Sequence, residues 1–496
     1  VAALALLAGA CGPAAEPDAR GPTFARAPVL LVSIDTLRAD RLGCYGYERD
    51  TSPHIDRVAA EGVVFEECYA NSPKTASSHM SLFTSLPPSA HGVTNASARL
   101  GIRVRRVGAN RRTLPQVLDE AGWRCTALAS GANLNPQMGF ARGFEDRFTS
   151  RNQDVSDLVD RALRLDRMAA DLDSPPFWFL HTYQVHAPYL PPDAYRERFA
   201  PQPRGRAGEL MEAMRGLSHT QAWRRMHAGL WDHEDEFGPQ DARYLSDLYD
   251  AEIAYTDAQL GRLFDALRAS GTWDELLVVI LSDHGEEFAE HGDFEHDQLF
   301  AEHLHVPWIV KLPGGAHAGT RVRGLTSLLD VMPTLLDLLG LEGPPTMAGR
   351  SQVPAILDGR TEERAVLSER VMFADDYRAS LRTPGRSVQF HAAPGTLHGW
   401  DLRQDPGEQR DVADEAPWFG DAAQALYEAL HATWTLREEL DRRDAGELVA
   451  VDDERLEELL EMGYVGEGAG QPPEGSPLDA WPPAAPGRPS TRDGPR

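Results

Sequence analysis

Three apolar runs in this chain end in, or lead directly into, side chains that can bind a cation or move a proton. PVLLVSID (28–35) closes on Asp35. FWFLHTY (177–183) carries His181 and is followed by His186, and LLVVILSD (276–283) closes on Asp283 with His284 next. Asp35, Asp283 and His284 make a reasonable donor set for one divalent metal ion. Ca²⁺ suits the oxygens, whereas Mn²⁺ or Zn²⁺ would suit the imidazole better. A lone Asp after a strand is more often a turn residue or N-cap, so the weight lies in the combination. The polar segment 282–307 adds five histidines in 22 residues, as expected of a long functional loop between apolar strands. Within it His303 and His305 read as ordinary surface residues. In NSPKTASSHMSLFTS (71–85), Thr75 stands between a strand-like run and a helix-like one. The simplest duty for it is to cap a helix over 76–86.

These residues need a scaffold that brings strand ends together. Apolar runs at 28–35, 177–183, 276–283 and 306–312 are separated by helical patterning, most plainly over 242–270. Strands alternating with helices predict an α/β fold with a mostly parallel central sheet, whose ligands bind beyond the carboxyl ends of the strands. LTSLLDVMPTLLDLLG (325–340) reads as another helix, with Gly340 as its C-cap. Beyond 360 the apolar runs shorten. Segments near 365–368, 378–382 and 387–392 predict a small antiparallel sheet, followed by helices over 418–440 and 453–462. The expected organisation is a catalytic α/β domain over 28–360, a C-terminal subdomain over 361–465 and a disordered tail over 466–496, the last rich in Pro and Gly.

With 496 residues the chain can bury a large core. Lys and Arg total 49 against 76 Asp and Glu, a formal charge of −27, which repels nucleic acid and anionic membranes. The opening VAALALLAGAC is too short to span a bilayer. It reads as the end of a secretion signal (1–10) followed by a Pro- and Ala-rich tether (11–27). Cys11, directly after Ala8-Gly9-Ala10, resembles a lipobox cysteine. The expected location is therefore the bacterial periplasm or cell envelope, with membrane association only through a lipid on Cys11. Cys44, Cys68 and Cys125 are not grouped as zinc ligands and read as small buried residues.

Several linked motifs carry a family resemblance. IDTLRADRLGCYGYERDTSPHIDRVAAEGVVFEECYA, SLFTSLPPSAHGV, FLHTYQVHAPYLPP, YDAEIAYTDAQLGRL, LSDHGEEFAEHGDFEH and LLDVMPTLLDLLG occur in this order, with LRQDPGEQRDV at 402–412. Over roughly 28–465 the chain resembles the sulfatase branch of the alkaline phosphatase superfamily. The resemblance implies an α/β sandwich with a small C-terminal sheet. It also implies hydrolysis of a small-molecule or glycan sulfate or phosphate ester at a metal-bound nucleophile. It places Asp35, Asp283 and His284 at metal positions, and His186 and His296 where the anion is contacted or the leaving group protonated. Thr36 occupies the position of a further metal ligand, for which it is poorer. The Lys-x-His motif many sulfatases carry has no counterpart in ALASGANLNPQMG (127–139).

Aligned on LFTS (82–85), the family's catalytic Cys or Ser falls on Thr75 and its Arg on His79. Sulfatases oxidise that Cys or Ser to formylglycine. Thr is a secondary alcohol, and its oxidation would give a ketone, so the aldehyde route is closed. A Thr hydroxyl at a metal can still attack, forming an ester of Thr75 that a second displacement must clear. That route suits phosphoryl groups. Threonine nucleophiles occur in phosphodiesterases and phosphoryl-linked transferases of the superfamily. The expectation is a metal-dependent ester hydrolase with Thr75 as nucleophile and further metal ligand. His79 would contact the anion, and His186 or His296 would serve the leaving group. The alternatives are a catalytically inactive binding lipoprotein on this fold, and a phosphoryl-group transferase acting on an envelope acceptor.

Overall fold

The computed structural model describes residues 22–94, 103–131, 133–150, 154–169, 174–230, 236–371, 377–450 and 477–482. The signal segment, Cys11, most of the tether, the helix expected over 453–462 and most of the tail lie outside the described residues.

Eight strands form the main sheet: β1 (Val29–Ile34), β2 (Val63–Tyr69), β3 (Arg124–Ser130), β4 (Asp146–Ser150), β5 (Pro176–Thr182), β6 (Leu277–Leu281), β7 (His305–Lys311) and β8 (Thr320–Ser327), in the order β8-β2-β7-β6-β1-β5-β3-β4. β1 is central and buried along its whole length, which explains an apolar run without alternation. It pairs in parallel with β5 and β6, placing Val29 beside Phe177 and Leu277. The shared register brings the carboxyl ends of β1, β5 and β6 to one level, and Asp35, Tyr183 and Asp283 follow from those ends. β7 is antiparallel to both β2 and β6, the one reversal among the pairings of this sheet. Among the helices, α1 (Thr75–Thr84) follows β2, and α2 (Pro239–Ser270) lies under the sheet with Leu245, Leu248, Leu260, Leu263 and Phe264 in the core.

The helix expected over 325–340 is shorter than its apolar pattern. Residues 325–327 belong to β8, paired with Glu67, Cys68 and Tyr69, and the helix proper is α3 (Val331–Leu338). Ser327 Oγ accepts from Leu329 N, and Asp330 Oδ2 accepts from Ser327 N, a capping box that starts the helical turn at that point.

Strands β9 (Val366–Arg370), β10 (Arg378–Thr383), β11 (Arg386–His391) and β12 (Thr396–Asp401) form the small antiparallel sheet, covered by α4 (Phe419–Asp444). This unit has its own core, in which Ala379, Leu381, Val388 and Phe390 meet Ala423, Leu426 and Leu430. Trp481 corrects the reading of the whole tail as coreless. It is 1% exposed in that core, with its ring 4.7 Å from Phe390 and 5.2 Å from Tyr427. Cys68 and Cys125 are buried and Cys44 half-buried, all three as free thiols.

Candidate active site

Asp35, Asp283 and His284 meet at the ends of β1 and β6, with their ligating atoms all within 4.8 Å of one another. His284 Nδ1 donates to the Gly285 carbonyl at 3.0 Å, which fixes the tautomer and leaves the Nε2 lone pair directed into the cluster. Nε2 lies 3.4 Å from Asp283 Oδ2 and 3.7 Å from Asp35 Oδ1. Those same two oxygens are buried without a hydrogen-bond partner. Burial, with the charges of Asp283 and Glu286 added, holds the Asp35 carboxyl far above the usual carboxylate range. Burial raises Asp283 as well, against hydrogen bonds that lower it. Two facing buried carboxylates with orphaned oxygens and an imidazole lone pair among them fit a divalent cation.

Thr36 takes no part in that set. Its hydroxyl donates to the Asp35 carbonyl at 2.8 Å, and its carbonyl accepts from Tyr249 Oη at 2.6 Å. Its φ of 57° is a costly conformation for a β-branched residue, about 1–3 kcal/mol, and it turns the Thr36 N–H toward Asp283 Oδ1 at 3.4 Å. His181 sits behind Asp35, with Nε2 3.5 Å from Oδ2, and is fully buried.

Thr75 is the first residue of α1, and the N-cap position belongs to Lys74, which makes no side-chain cap. The capping duty expected of Thr75 is therefore not what its hydroxyl performs. Thr75 Oγ lies 3.3 Å from His284 Nε2, 3.3 Å from Tyr183 Oη and 3.5 Å from Asp35 Oδ2. α1 is held against the sheet end by Ser78 Oγ, which donates to the Asp283 carbonyl at 2.7 Å. His79 is placed differently from a group gripping a substrate anion. Its Nδ1 donates to the Thr75 carbonyl at 2.9 Å, and its Nε2 accepts from Ser33 Oγ at 2.8 Å. Burial lowers its pKa to about 4, so the ring is a neutral brace between β1 and the first turn of α1.

His186 and His296 come together from segments 110 residues apart. His186 Nδ1 donates to the Ala187 carbonyl at 2.7 Å, and His296 Nδ1 donates to the Pro73 carbonyl at 3.1 Å. The two Nε2 atoms face each other 3.1 Å apart, and burial, with the neighbouring His284 and Lys74, holds the His296 ring well below the usual histidine range. The His296 ring also lies 4.3 Å from that of His284.

Lys74 and Tyr183 carry no role in the reading of the sequence, although both lie inside its motifs. Lys74 pairs with Asp297, which Arg370 also engages at 3.1 Å. Two cations on one carboxylate leave positive charge beside Thr75. The signal was the single Lys next to Thr75. His303 and His305 are not surface residues. His303 is fully buried 3.2 Å from Glu287 Oε2, and His305 stacks on Tyr69 at 5.2 Å and bonds the Glu66 carbonyl. A second acidic group, Glu287, His291 and Glu302, reads as an ion pair, since both His291 nitrogens are engaged, by Glu302 and the Glu408 carbonyl.

Residues 28–341 match the sulfatase family model, more than half of the chain. The chain belongs to the sulfatase family. Residues 289–433 also match the model of the N-sulphoglucosamine sulphohydrolase C-terminal region. An arylsulfatase of Clostridium perfringens is 21% identical over 452 residues, covering 77% of this chain and 89% of that protein. Among solved structures, a protein in complex with its substrate D-glucosamine-2-N,6-O-disulfate superposes with a TM-score of 0.67 at 18% identity, covering 84% of this chain and 99% of the other. The phosphonate monoester hydrolase of Agrobacterium radiobacter gives 0.65 at 22% identity, covering 84% and 96%. These two likenesses concern the fold: the mixed α/β sheet with a separate small antiparallel sheet. Family membership makes sulfate- or phosphate-ester hydrolysis the class of chemistry to test.

Proposed function

We propose that this sulfatase-family chain is a metal-dependent ester hydrolase in which Thr75 Oγ is the nucleophile and phosphoryl esters are preferred to sulfate esters. The observation that carries the reading is the Thr75 hydroxyl, released from capping and aimed between Asp35 and His284. A divalent cation held by Asp35, Asp283 and His284, with Thr75 Oγ as a further ligand, would lower the pKa of that hydroxyl and neutralise charge on the transferred group. The oxygen-rich part of the set favours Ca²⁺, and the fixed His284 lone pair favours Mn²⁺ or Zn²⁺.

The protein's own residues supply the rest. His79, held by Ser33, fixes the Thr75 carbonyl and with it the direction of the nucleophile. His186 or His296 would protonate the leaving oxygen. Lys74 offers the fixed positive charge that the family's missing Lys-x-His motif would otherwise bring. Because threonine cannot become an aldehyde, the first displacement leaves an ester of Thr75 and water must attack the same phosphorus or sulfur to clear it. That requirement favours phosphate. The substrate class is a small-molecule or glycan ester. Export with a lipid on Cys11 belongs to the same reading, and predicts that Cys11→Ser moves the protein from the membrane pellet to the soluble fraction.

Metal analysis of purified protein, with paired aryl phosphate and aryl sulfate assays, tests the proposal. The expected result is bound divalent metal with phosphate turnover exceeding sulfate turnover. Neither metal nor turnover of either ester would favour a binding protein, and turnover of sulfate alone would contradict the inference from threonine.

A further inference from the structure

We propose that Glu252 is a positioning residue for His186: through the Gln184 side chain it fixes the turn that holds that imidazole at the leaving oxygen. The inference deepens the reading above and rests on it, with His186 as the group that protonates the leaving oxygen.

Glu252 lies on α2 and is 1% exposed. Its Oε2 accepts from Gln184 Nε2 at 2.8 Å, across 68 residues of sequence. The Gln184 amide is oriented by its other end. There Oε1 accepts from Val155 N at 3.2 Å, so the NH₂ group faces the carboxyl. Gln184 N donates to Thr182 Oγ1 at 3.2 Å, which ties the same residue back to the end of β5. Two residues on, His186 N donates to the Tyr183 carbonyl at 3.0 Å and closes a turn through Gln184. The imidazole is set on that turn by Nδ1, which donates to the Ala187 carbonyl at 2.7 Å, while Nε2 lies 3.1 Å from His296 Nε2. At the far end of the segment the Leu190 N–H faces the same Glu252 carboxyl. One buried side chain thus reaches residues on both sides of His186.

Burial raises the Glu252 pKa to about 8, against the hydrogen bonds from Gln184 and the Leu190 N–H that lower it. An apolar residue would fill this place on α2 without that penalty. What the carboxyl adds is an acceptor aimed at the turn.

In the first displacement the bond from Thr75 Oγ to phosphorus forms. The bond from phosphorus to the leaving oxygen breaks, and its electron pair goes to that oxygen. A proton from His186 completes the alcohol, and the water that attacks in the second displacement returns a proton to His186. The Thr75 hydroxyl proton passes to solvent in the first displacement and is regained in the second. A leaving group that is stable as an anion needs no proton from the protein. An imidazole released from its turn therefore slows esters of weakly acidic alcohols and phenols, and spares esters of strongly acidic phenols.

Rapid-quench measurement of first-turnover phenol release by Glu252→Ala gives the test. It is run with phenyl phosphate and with a dinitrophenyl phosphate, whose phenolate leaves unprotonated. The expected result is a rate reduced about 10–100-fold for phenyl phosphate and less than about threefold for the dinitrophenyl ester. Glu252→Gln, which keeps an oxygen acceptor for Gln184, should recover most of the phenyl phosphate rate. Gln184→Ala should reproduce the selective loss and add little to it in the double variant. It decides the matter if Glu252→Ala does not fold. Equal slowing of both esters, or no slowing of either, overturns the role of Glu252. A His186→Ala variant that slows both esters equally, or a wild-type protein that turns over neither, instead removes the reading beneath it.

Discussion

Asp35 and Asp283 face one another in a buried site with one orphaned oxygen each, and burial raises both carboxyls, so in the proposed site a bound cation would take over the neutralisation that protons otherwise supply. On that reading the metal-free protein carries an unfavourably buried acidic pair that a cation would stabilise. Asp283→Asn should move stability in opposite directions in the two states. In the presence of chelator its thermal midpoint should exceed that of the wild type, by a margin corresponding to about 1–3 kcal/mol. With saturating metal the order should reverse, because a ligand that binds only the native state stabilises it, by about 2.7 kcal/mol at a hundred times Kd. A variant less stable than wild type in both states would mean that Asp283 is satisfied without metal. Asp35 and Asp283-His284 were legible in the sequence because each closes an apolar run, and a strand that ends in a carboxylate advertises its exit from the sheet. Tyr183 was not legible as a partner of Thr75. Its place depends on the β1–β5 register and on a glycine in a different loop, neither of which leaves a local pattern.

At the scale of elements, the loop after β6 is tied to the C-terminal sheet. His291 stacks on Phe300 at 3.6 Å and meets both Glu302 and the Glu408 carbonyl. Glu408 in turn accepts from Ala301 N at 2.9 Å and Arg382 at 2.6 Å. Burial opposes protonation of His291, but the hydrogen bond and charge of Glu302 outweigh it and raise the pKa to about 9. A raised histidine stabilises the fold fully below its unfolded value of about 6.5, and that contribution disappears as pH rises through the folded value. Denaturant stability should fall between about pH 7 and pH 9, and His291→Gln should remove that part of the slope. A wild-type profile flat over this window would contradict the ion pair. The same element shows why the sequence misled on His303. A polar loop usually faces solvent, but this one folds under the C-terminal unit, where His303 is buried 3.2 Å from Glu287. Trp481 lies in a stretch whose Pro and Gly content argues against any core, and a single large ring packs there against a core built elsewhere. Helix α3 begins later than its apolar pattern because 325–327 satisfy strand pairing with β2 first.

For the whole molecule, a charge of −27 sets a field against every anionic substrate that approaches. The local cations Lys74 and Arg370, gathered on Asp297, act only at short range. Raising ionic strength from about 0.01 M to about 0.15 M shortens the screening length from about 30 Å to about 8 Å. For a dianionic aryl phosphate, kcat/KM should therefore rise by roughly twofold to tenfold over that range, with kcat little changed. A fall would mean that the local cations dominate the approach. Turnover measured together with metal content in Thr75→Ala separates a nucleophile from a bystander. Loss of aryl phosphate turnover by about 10³-fold or more, with bound metal retained or slightly reduced, is the predicted result. Full turnover in that variant would remove Thr75 from the chemistry.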